Sequence, residues 1–218
     1  MARDDDRARV VGAAYDEEAE AVGWFGPEVA FGLAFTFVRP GQSILDLGIG
    51  TGRAAVLFRA AGLRVLGMDV DPEMLDACRV KGFDDLALHD LTVRPYPFTT
   101  ASIDHAICVG TLNFIRDASP VFEECARILR SGGVFVFAVG DRTENEPAET
   151  VVDAERTGTG EPATMYRHSA RQVGEWAAAN GFTMVRGLTF TVPLDRQRTT
   201  SQQITTYVVR KGEGTSDG

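Results

Sequence analysis

Apolar and polar positions alternate along this chain in two periods, and the switches between them mark the elements. Ile44 and Leu45 form a short apolar run after the turn pair Pro40-Gly41. Asp46-Leu47-Gly48-Ile49-Gly50-Thr51-Gly52 follows, and Ala54-Ala55-Val56-Leu57-Phe58 then opens a helical pattern. Strand, tight loop and helix in that order are the first half of a βαβ unit. Residues 63–69 predict a second strand with Asp69 at its end, and Asp71-Pro72-Glu73 supplies the N-cap, first-turn proline and first-turn acid of the next helix. Residues 86–89 predict a short third strand, ending in Asp90. Residues 103–109 are almost wholly apolar and predict a fourth strand covered on both faces. Residues 120–129 predict a helix with Val121, Cys125, Ile128 and Leu129 on one side, stopped by Ser131-Gly132-Gly133. Residues 134–139 predict a fifth, central strand. A helix over 170–180 and a strand pair over 182–192 and 204–209 complete the pattern. Alternating strands and helices imply a parallel sheet with helices on both faces, and the last pair adds an antiparallel strand.

The flanks are less regular. Residues 1–9 are charged and expected to fray. A helical segment begins at Val10 and is broken by Trp24-Phe25-Gly26-Pro27; a second, with Val29, Ala30, Leu33 and Phe37 on one stripe, ends before Arg39-Pro40. Residues 141–161 are acidic and small, without an apolar period, and are expected to form a loop or mobile cap with a short helix near 148–153. The reading is one domain over 1–218: an N-terminal lid at 10–40, a cofactor-binding core at 41–140, a mobile cap at 141–168, a C-terminal helix and strand pair at 169–210, and a disordered tail at 211–218.

Composition narrows the classes. A chain of 218 residues with 44% hydrophobic residues suits one α/β domain. A net charge of −9 argues against a nucleic-acid partner, and no apolar run is long enough for a bilayer. The N-terminus lacks the order of a signal peptide, and Cys78, Cys108 and Cys125 are odd in number and not spaced as a metal site. A cytoplasmic protein with reduced thiols is the expectation.

The glycine loop sets the chemistry. The dinucleotide fingerprint G-x-G-x-x-G fails because Arg53 stands where its third glycine belongs, and no Gly-Lys-Ser/Thr follows to make a Walker loop. Asp46-x-Gly48-x-Gly50-x-Gly52 resembles motif I of the class I S-adenosylmethionine-dependent methyltransferases. The resemblance continues through Gly67-Met68-Asp69, His89-Asp90, Ser102-Ile103-Asp104, the run Ala126-Arg127-Ile128-Leu129-Arg130-Ser131-Gly132-Gly133, and Asn180-Gly181-Phe182, and spans residues 15–210. It is closest to the small-molecule enzymes of the methyltransferase-11/25 type with a Tyr-Asp pair near the N-terminus, here Tyr15-Asp16.

That resemblance implies a doubly wound, seven-stranded, mostly parallel Rossmann-like sheet with an antiparallel last strand. It implies S-adenosylmethionine as cofactor and S-adenosylhomocysteine as product. Gly48, Gly50, Thr51 and Gly52 would line the methionine moiety, with Tyr15 beside them and Asp46 reaching the amino group. Asp69 would hold the ribose hydroxyls, Val70 and Met74 would lie against adenine, and Asp90 and Leu91 would meet its amino edge. Val109, Gly110 and Thr111 would form the floor. S-adenosylmethionine is cationic near neutral pH, so acids at strand ends suit it.

The acceptor is expected to be a small molecule, bound by Trp24, Phe25, Tyr166 and His168, with His168 the candidate general base if one is used. Trp24 and Phe25 read equally well as core anchors, Asp90 as a turn aspartate, and His89 and His105 as structural. Val109-Gly110-Thr111-Leu112-Asn113 offers no carboxylate, so no metal is expected, although Asp141 and Asn145 follow the fifth strand. Neither nucleic acid nor membrane is an expected partner; monomer and homodimer stay open. The competing readings are a nucleotide-cofactor oxidoreductase and a non-catalytic S-adenosylmethionine-binding regulator.

Overall fold

The computed structural model describes residues 2–152 and 163–213. Six helices are described: α1 (Ala2–Val22), α2 (Gly26–Ala34), α3 (Arg53–Ala60), α4 (Pro72–Val80), α5 (Ser119–Ile128) and α6 (Ala170–Ala179). The strands are β1 (Ser43–Leu47), β2 (Arg64–Asp69), β3 (Leu86–Leu88), β4 (His105–Cys108), β5 (Val134–Asp141), β6 (Glu149–Val152), β7 (Ala163–His168), β8 (Phe182–Pro193) and β9 (Ser201–Lys211). Strands β3-β2-β1-β4-β5 run parallel in that spatial order. Strand β9 lies antiparallel on β5, and β8 antiparallel on β9. This is the expected mixed α/β sheet, mostly parallel with an antiparallel C-terminal strand, but among the described residues it has nine strands and not the expected seven, because β6 and β7 add to the β5 edge. No helix among the described residues is long and apolar enough to cross a membrane.

Two expectations for the flanks are corrected. Helix α1 begins at Ala2, so the first residues continue it instead of fraying. The segment expected to be a loop with a short helix near 148–153 forms a hairpin, with Glu149 opposite Tyr166 and Val152 opposite Ala163. Thr150 and Val151, facing Met165 and Thr164, include strand-forming types, and the pairing overrides the acidic composition around them. Residues 153–162, and the expected tail from 214 on, lie outside the described residues. The hairpin reaches the sheet where β4 stops: β4 pairs β5 up to Cys108↔Phe137, and β7 joins the same edge at Gly140↔Arg167 and Asp141↔His168.

Successive strand residues point to opposite faces, so the two cores divide the apolar residues by parity. Leu45, Leu47, Phe135, Phe137 and Val139 pack under α5 and α6 with Phe122, Val173 and Trp176. Ile44, Ile107, Val134, Val136 and Val208 pack under α2 and α3 with Ala30, Ala34 and Phe58. Helices on both faces explain why β1 and β4 are buried at every position. The Asp71 side chain accepts the Glu73 amide at 2.8 Å, the predicted cap that starts α4.

Phe122 is fully buried, with ring contacts to Phe135, Phe137, Trp176 and Phe182 at centroid distances of 5.5, 5.0, 5.8 and 6.3 Å. It joins α5, β5, α6 and the start of β8. Phe122→Ala is expected to destabilise the fold by about 3–5 kcal/mol, and Phe122→Leu by clearly less. Urea unfolding followed by circular dichroism measures both; equal midpoints for wild type and Phe122→Ala would contradict this account of the core.

Candidate functional site

Strand β1 delivers Asp46 and Leu47 into a loop whose glycines have left-handed backbones: φ is +72° at Gly48, +54° at Gly50 and +82° at Gly52. The amides of Gly48 and Ile49 donate to the Met68 carbonyl at 2.8 and 3.0 Å, which docks the loop on the end of β2. A side chain at Gly48 would meet the Thr111 hydroxyl at 2.2 Å, while that hydroxyl donates to the Gly48 carbonyl at 3.2 Å. The loop therefore also rests on the segment after β4. On the other side, a Cβ at Gly50 would meet nothing within 4 Å, so the loop backbone faces open space.

Asp69 closes this arrangement from β2. One carboxylate oxygen accepts the Gly50 amide at 2.8 Å and the other the Asp71 amide at 3.0 Å. Each oxygen keeps acceptor capacity for a ligand hydroxyl. Asp69 is half-buried, Met74 is half-buried on α4, and Val70 beside them is 66% exposed.

Asp46 lies beneath, 2% exposed. Burial and the neighbouring Asp69 carboxylate push its carboxyl up to about 8. The thiols around it are raised as well, Cys78 to about 12 and Cys108 well above its ordinary value, chiefly by burial and next by Asp46 itself. A glycine loop open to one side and underlain by two carboxylates fits a ligand that brings a cationic head and a ribose, as S-adenosylmethionine does.

Helix α1 is fastened to this loop. Asp16 accepts the Thr51 hydroxyl at 2.7 Å and the Lys81 ammonium at 2.6 Å, and its backbone carbonyl accepts from Arg53 at 3.2 Å. Glu20 lies 3.7 Å from the same guanidinium. Tyr15 is half exposed. Crowding by the surrounding protein raises its phenol, Arg53 opposes, and Asp16 and Asp69 add to the rise, which puts the ring among the loop's charges. Sequence reasoning missed the clasp. The Tyr-Asp pair was its only signal, and the Asp16–Lys81 pairing bridges 65 residues.

Other expected residues fall as follows. Thr51 is buried, with its hydroxyl turned to Asp16 and not to the open side of the loop. Asp90 is exposed and accepts both the amide and the hydroxyl of Thr92 at 2.8 Å, bonds that hold its carboxyl below the ordinary value. This is the turn-aspartate geometry, which leaves the second oxygen outward. Leu91 is buried in the α5-side core, and its carbonyl accepts the Tyr96 hydroxyl at 2.9 Å. Val109, Gly110 and Thr111 are half-buried at the end of β4.

On the acceptor side, Trp24 packs against Ala138, Val192 and Ile204, and Phe25 is 41% exposed. Tyr166 is half-buried under the Arg116 guanidinium, 5.2 Å from its ring centroid. His168 requires correction as a base. It is 1% exposed, sits edge-on to Trp176 at 5.0 Å, and faces the Leu112 carbonyl at 3.4 Å. Burial lowers its pKa, so it is a neutral core imidazole in this structure. Among the described residues, no group of three or more His, Cys, Asp or Glu is placed to hold a metal ion. A surface depression of about 460 Å³ between Ser43, Arg64, Asp104 and Arg130 lies at the amino ends of the strands, and its cations are engaged by Asp85 at 2.9 Å and Asp104 at 2.5 Å.

Comparison with known proteins bears on the family and the fold. Residues 45–137 match the family model described as a methyltransferase domain. A malonyl-[acyl-carrier protein] O-methyltransferase of Serratia marcescens is 35% identical over 124 residues, 54% of this chain and 47% of that one. A ubiquinone biosynthesis O-methyltransferase of Xanthomonas oryzae is 29% identical over 119 residues, 53% of this chain and 50% of that one. The chain thus spans about half the length of the curated relatives it matches. A SAM-dependent methyltransferase structure from Methanosarcina mazei superposes with a TM-score of 0.71 at 15% identity, over 83% of this chain and 97% of that one, which establishes the shared fold.

The raised Asp46 carboxyl has a measurable consequence. The folded protein keeps Asp46 protonated up to about 8, whereas in the unfolded chain it ionises near an ordinary aspartate's ~3.9. Through this group, stability falls as pH rises from about 4 to about 8. A cation bound beside Asp46 favours its ionised form and releases the proton. Near pH 7, S-adenosylhomocysteine, which carries an ammonium group, is therefore expected to bind with net proton release and to bind more tightly at pH 8 than at pH 6. Calorimetry in buffers of different ionisation enthalpy reads the proton count. Asp46→Asn should abolish the release; an unchanged count in that variant would exclude Asp46 as its source.

Proposed function

We propose that this chain, which carries a class I S-adenosylmethionine-dependent methyltransferase domain, methylates an O, N or C atom of a small-molecule acceptor. The observation that carries the reading is the acid-backed, open face of the glycine loop, with Asp69 bonded to the Gly50 amide and Asp46 buried below. When bound, S-adenosylmethionine would supply a methyl group on its sulfonium, the C–S bonding pair staying on sulfur. A lone pair of the acceptor atom forms the new bond to carbon, and the proton displaced from that atom passes to solvent.

The chain's own residues bind and orient. Asp69 takes the ribose hydroxyls, Val70 and Met74 flank adenine, and the outward oxygen of Asp90 meets its amino group. Gly48, Gly50 and Gly52 leave room for the methionine portion, and Asp46 balances its ammonium charge. Val109, Gly110 and Thr111 form the floor. Helix α1, clasped by Asp16, covers the loop and excludes water. With His168 enclosed, no side chain is assigned as general base; holding two reactants in line supplies much of the rate. The names of the curated relatives, both O-methyltransferases, favour oxygen as the receiving atom.

Asp69→Ala is expected to weaken S-adenosylhomocysteine binding by about 2 kcal/mol or more, since charge-assisted hydrogen bonds are lost. Titration calorimetry measures this, with thermal unfolding as the check that the fold persists. Unchanged affinity in a folded variant would remove Asp69 from the site. Methylation of an acceptor found by metabolite screening should survive EDTA; turnover lost in EDTA and restored by magnesium would count against a metal-free reaction.

A further inference from the structure

Beyond the cofactor loop, three aromatic side chains from two separate segments meet at the carboxyl end of the sheet. Gly140 near the end of β5 pairs with Ile204 of β9, and Ile204 pairs with Phe190 of β8. Phe190 therefore lies level with the carboxyl end of β5, two strands out. It packs with Trp24 and Val109 on buried Ala138, Val192 and Ile204. Trp24 comes from the connection between α1 and α2. Its indole lies over the Gly26 backbone, where any Cβ would be 2.4 Å from the ring. That glycine lets the indole reach Gly110, where a Cβ would lie 3.7 Å from it. Phe25 then meets Phe190 with ring centroids 5.2 Å apart and planes tilted by 36°.

This wall adjoins the cofactor floor. Gly110 is followed by Thr111, whose hydroxyl bonds the Gly48 carbonyl at 3.2 Å. The turn between β8 and β9 is tied back to α1 by the Arg196–Glu18 ion pair, so the strand bearing Phe190 and the connection bearing Trp24 are held together.

We propose that Trp24, Phe25 and Phe190 bind the acceptor and select a planar aromatic ring over a flexible acyl carboxylate. The proposal rests on the methyltransferase reading above. Tilted aromatic faces with part of their area open receive a third ring by offset or edge contacts at little entropic cost. Val109, Ala138, Val192 and Ile204 behind them are hydrocarbon, against which a carboxylate would lose hydration. Phe190 is the specificity-determining residue, because it is the wall's contact from outside the cofactor half of the chain.

The test uses the full chain saturated with S-adenosylhomocysteine, with 2-naphthol as the planar phenol probe and malonyl-pantetheine as the acyl carboxylate probe. Calorimetry first establishes S-adenosylhomocysteine binding, and saturation-transfer NMR then reads each probe. The expected result is binding of 2-naphthol in preference to malonyl-pantetheine, weakened about tenfold by Phe190→Ala, kept by Phe190→Trp, with S-adenosylhomocysteine affinity unchanged in both variants, which circular dichroism shows to be folded at the assay temperature. Should wild type fail to bind S-adenosylhomocysteine, the methyltransferase reading falls and this proposal with it. If it binds S-adenosylhomocysteine but prefers malonyl-pantetheine, ignores 2-naphthol, or binds 2-naphthol equally well after Phe190→Ala, the acceptor assignment alone is overturned.

Discussion

Everything at the carboxyl end of this sheet is arranged around one hydrogen bond, from the Gly50 amide to the Asp69 carboxylate. It brings the loop after β1 onto the end of β2 and places a carboxylate beside bare backbone. The consequence is electrostatic crowding: Asp46 lies in the same place, almost without solvent. Two carboxylates that close do not both ionise cheaply, and Asp46 answers by keeping its proton. The nearby cations do not relieve the crowding from within, because Asp16 engages Lys81 and Arg53 on the α1 side. The domain is left with an open loop face whose charge a cationic ligand would complete.

That arrangement also accounts for α1. Over residues 12–22 of this N-terminal helix only Gly12 and Ala19 are buried, which leaves little apolar surface there to hold it on the domain. Asp16 supplies specific attachment, and two residues on, Glu18 reaches Arg196 beyond β8. Partly buried pairs such as Asp16–Lys81 hold more firmly than exposed ones, which contribute little. The helix is therefore fixed most strongly at the loop itself, and anything that reorganises Thr51 or Lys81 is felt by Tyr15 one residue away.

The sequence made the first five strands legible, and with them Asp46, the three glycines and Asp69, because those features are local. A strand–loop–helix unit is read within a dozen residues, and the Asp71 cap within three. What stayed hidden depends on pairing over distance. The β6–β7 hairpin has no compositional mark, since its two strands are short and their partners are separated by residues 153–162. His168 stands just before a helix, a position that suggested the acceptor; the β7 alternation instead turns its ring onto Trp176, eight residues on. Leu91 follows a site acid in sequence and belongs to the core in space. Phe190 lies inside the strand expected over 182–192 and carries no mark of its own in the sequence.

The same division runs through the comparisons. The family match ends at Phe137, within β5, and begins at Leu45, within β1. It takes in the glycine loop, Asp69, Asp90 and the floor after β4. Trp24, Phe25 and Phe190 all lie outside it. The proposed cofactor site, built from backbone turns and strand-end acids, tolerates little variation, because a side chain at Gly48 collides with Thr111 and Asp69 accepts the Gly50 amide. The proposed acceptor wall carries no such backbone constraint; its rings come from segments that can change length and composition without disturbing β1 or β2. Proteins with this fold can therefore share the middle of the chain and differ in what they methylate, which is why acceptor chemistry has to be argued from the wall and not from the fold.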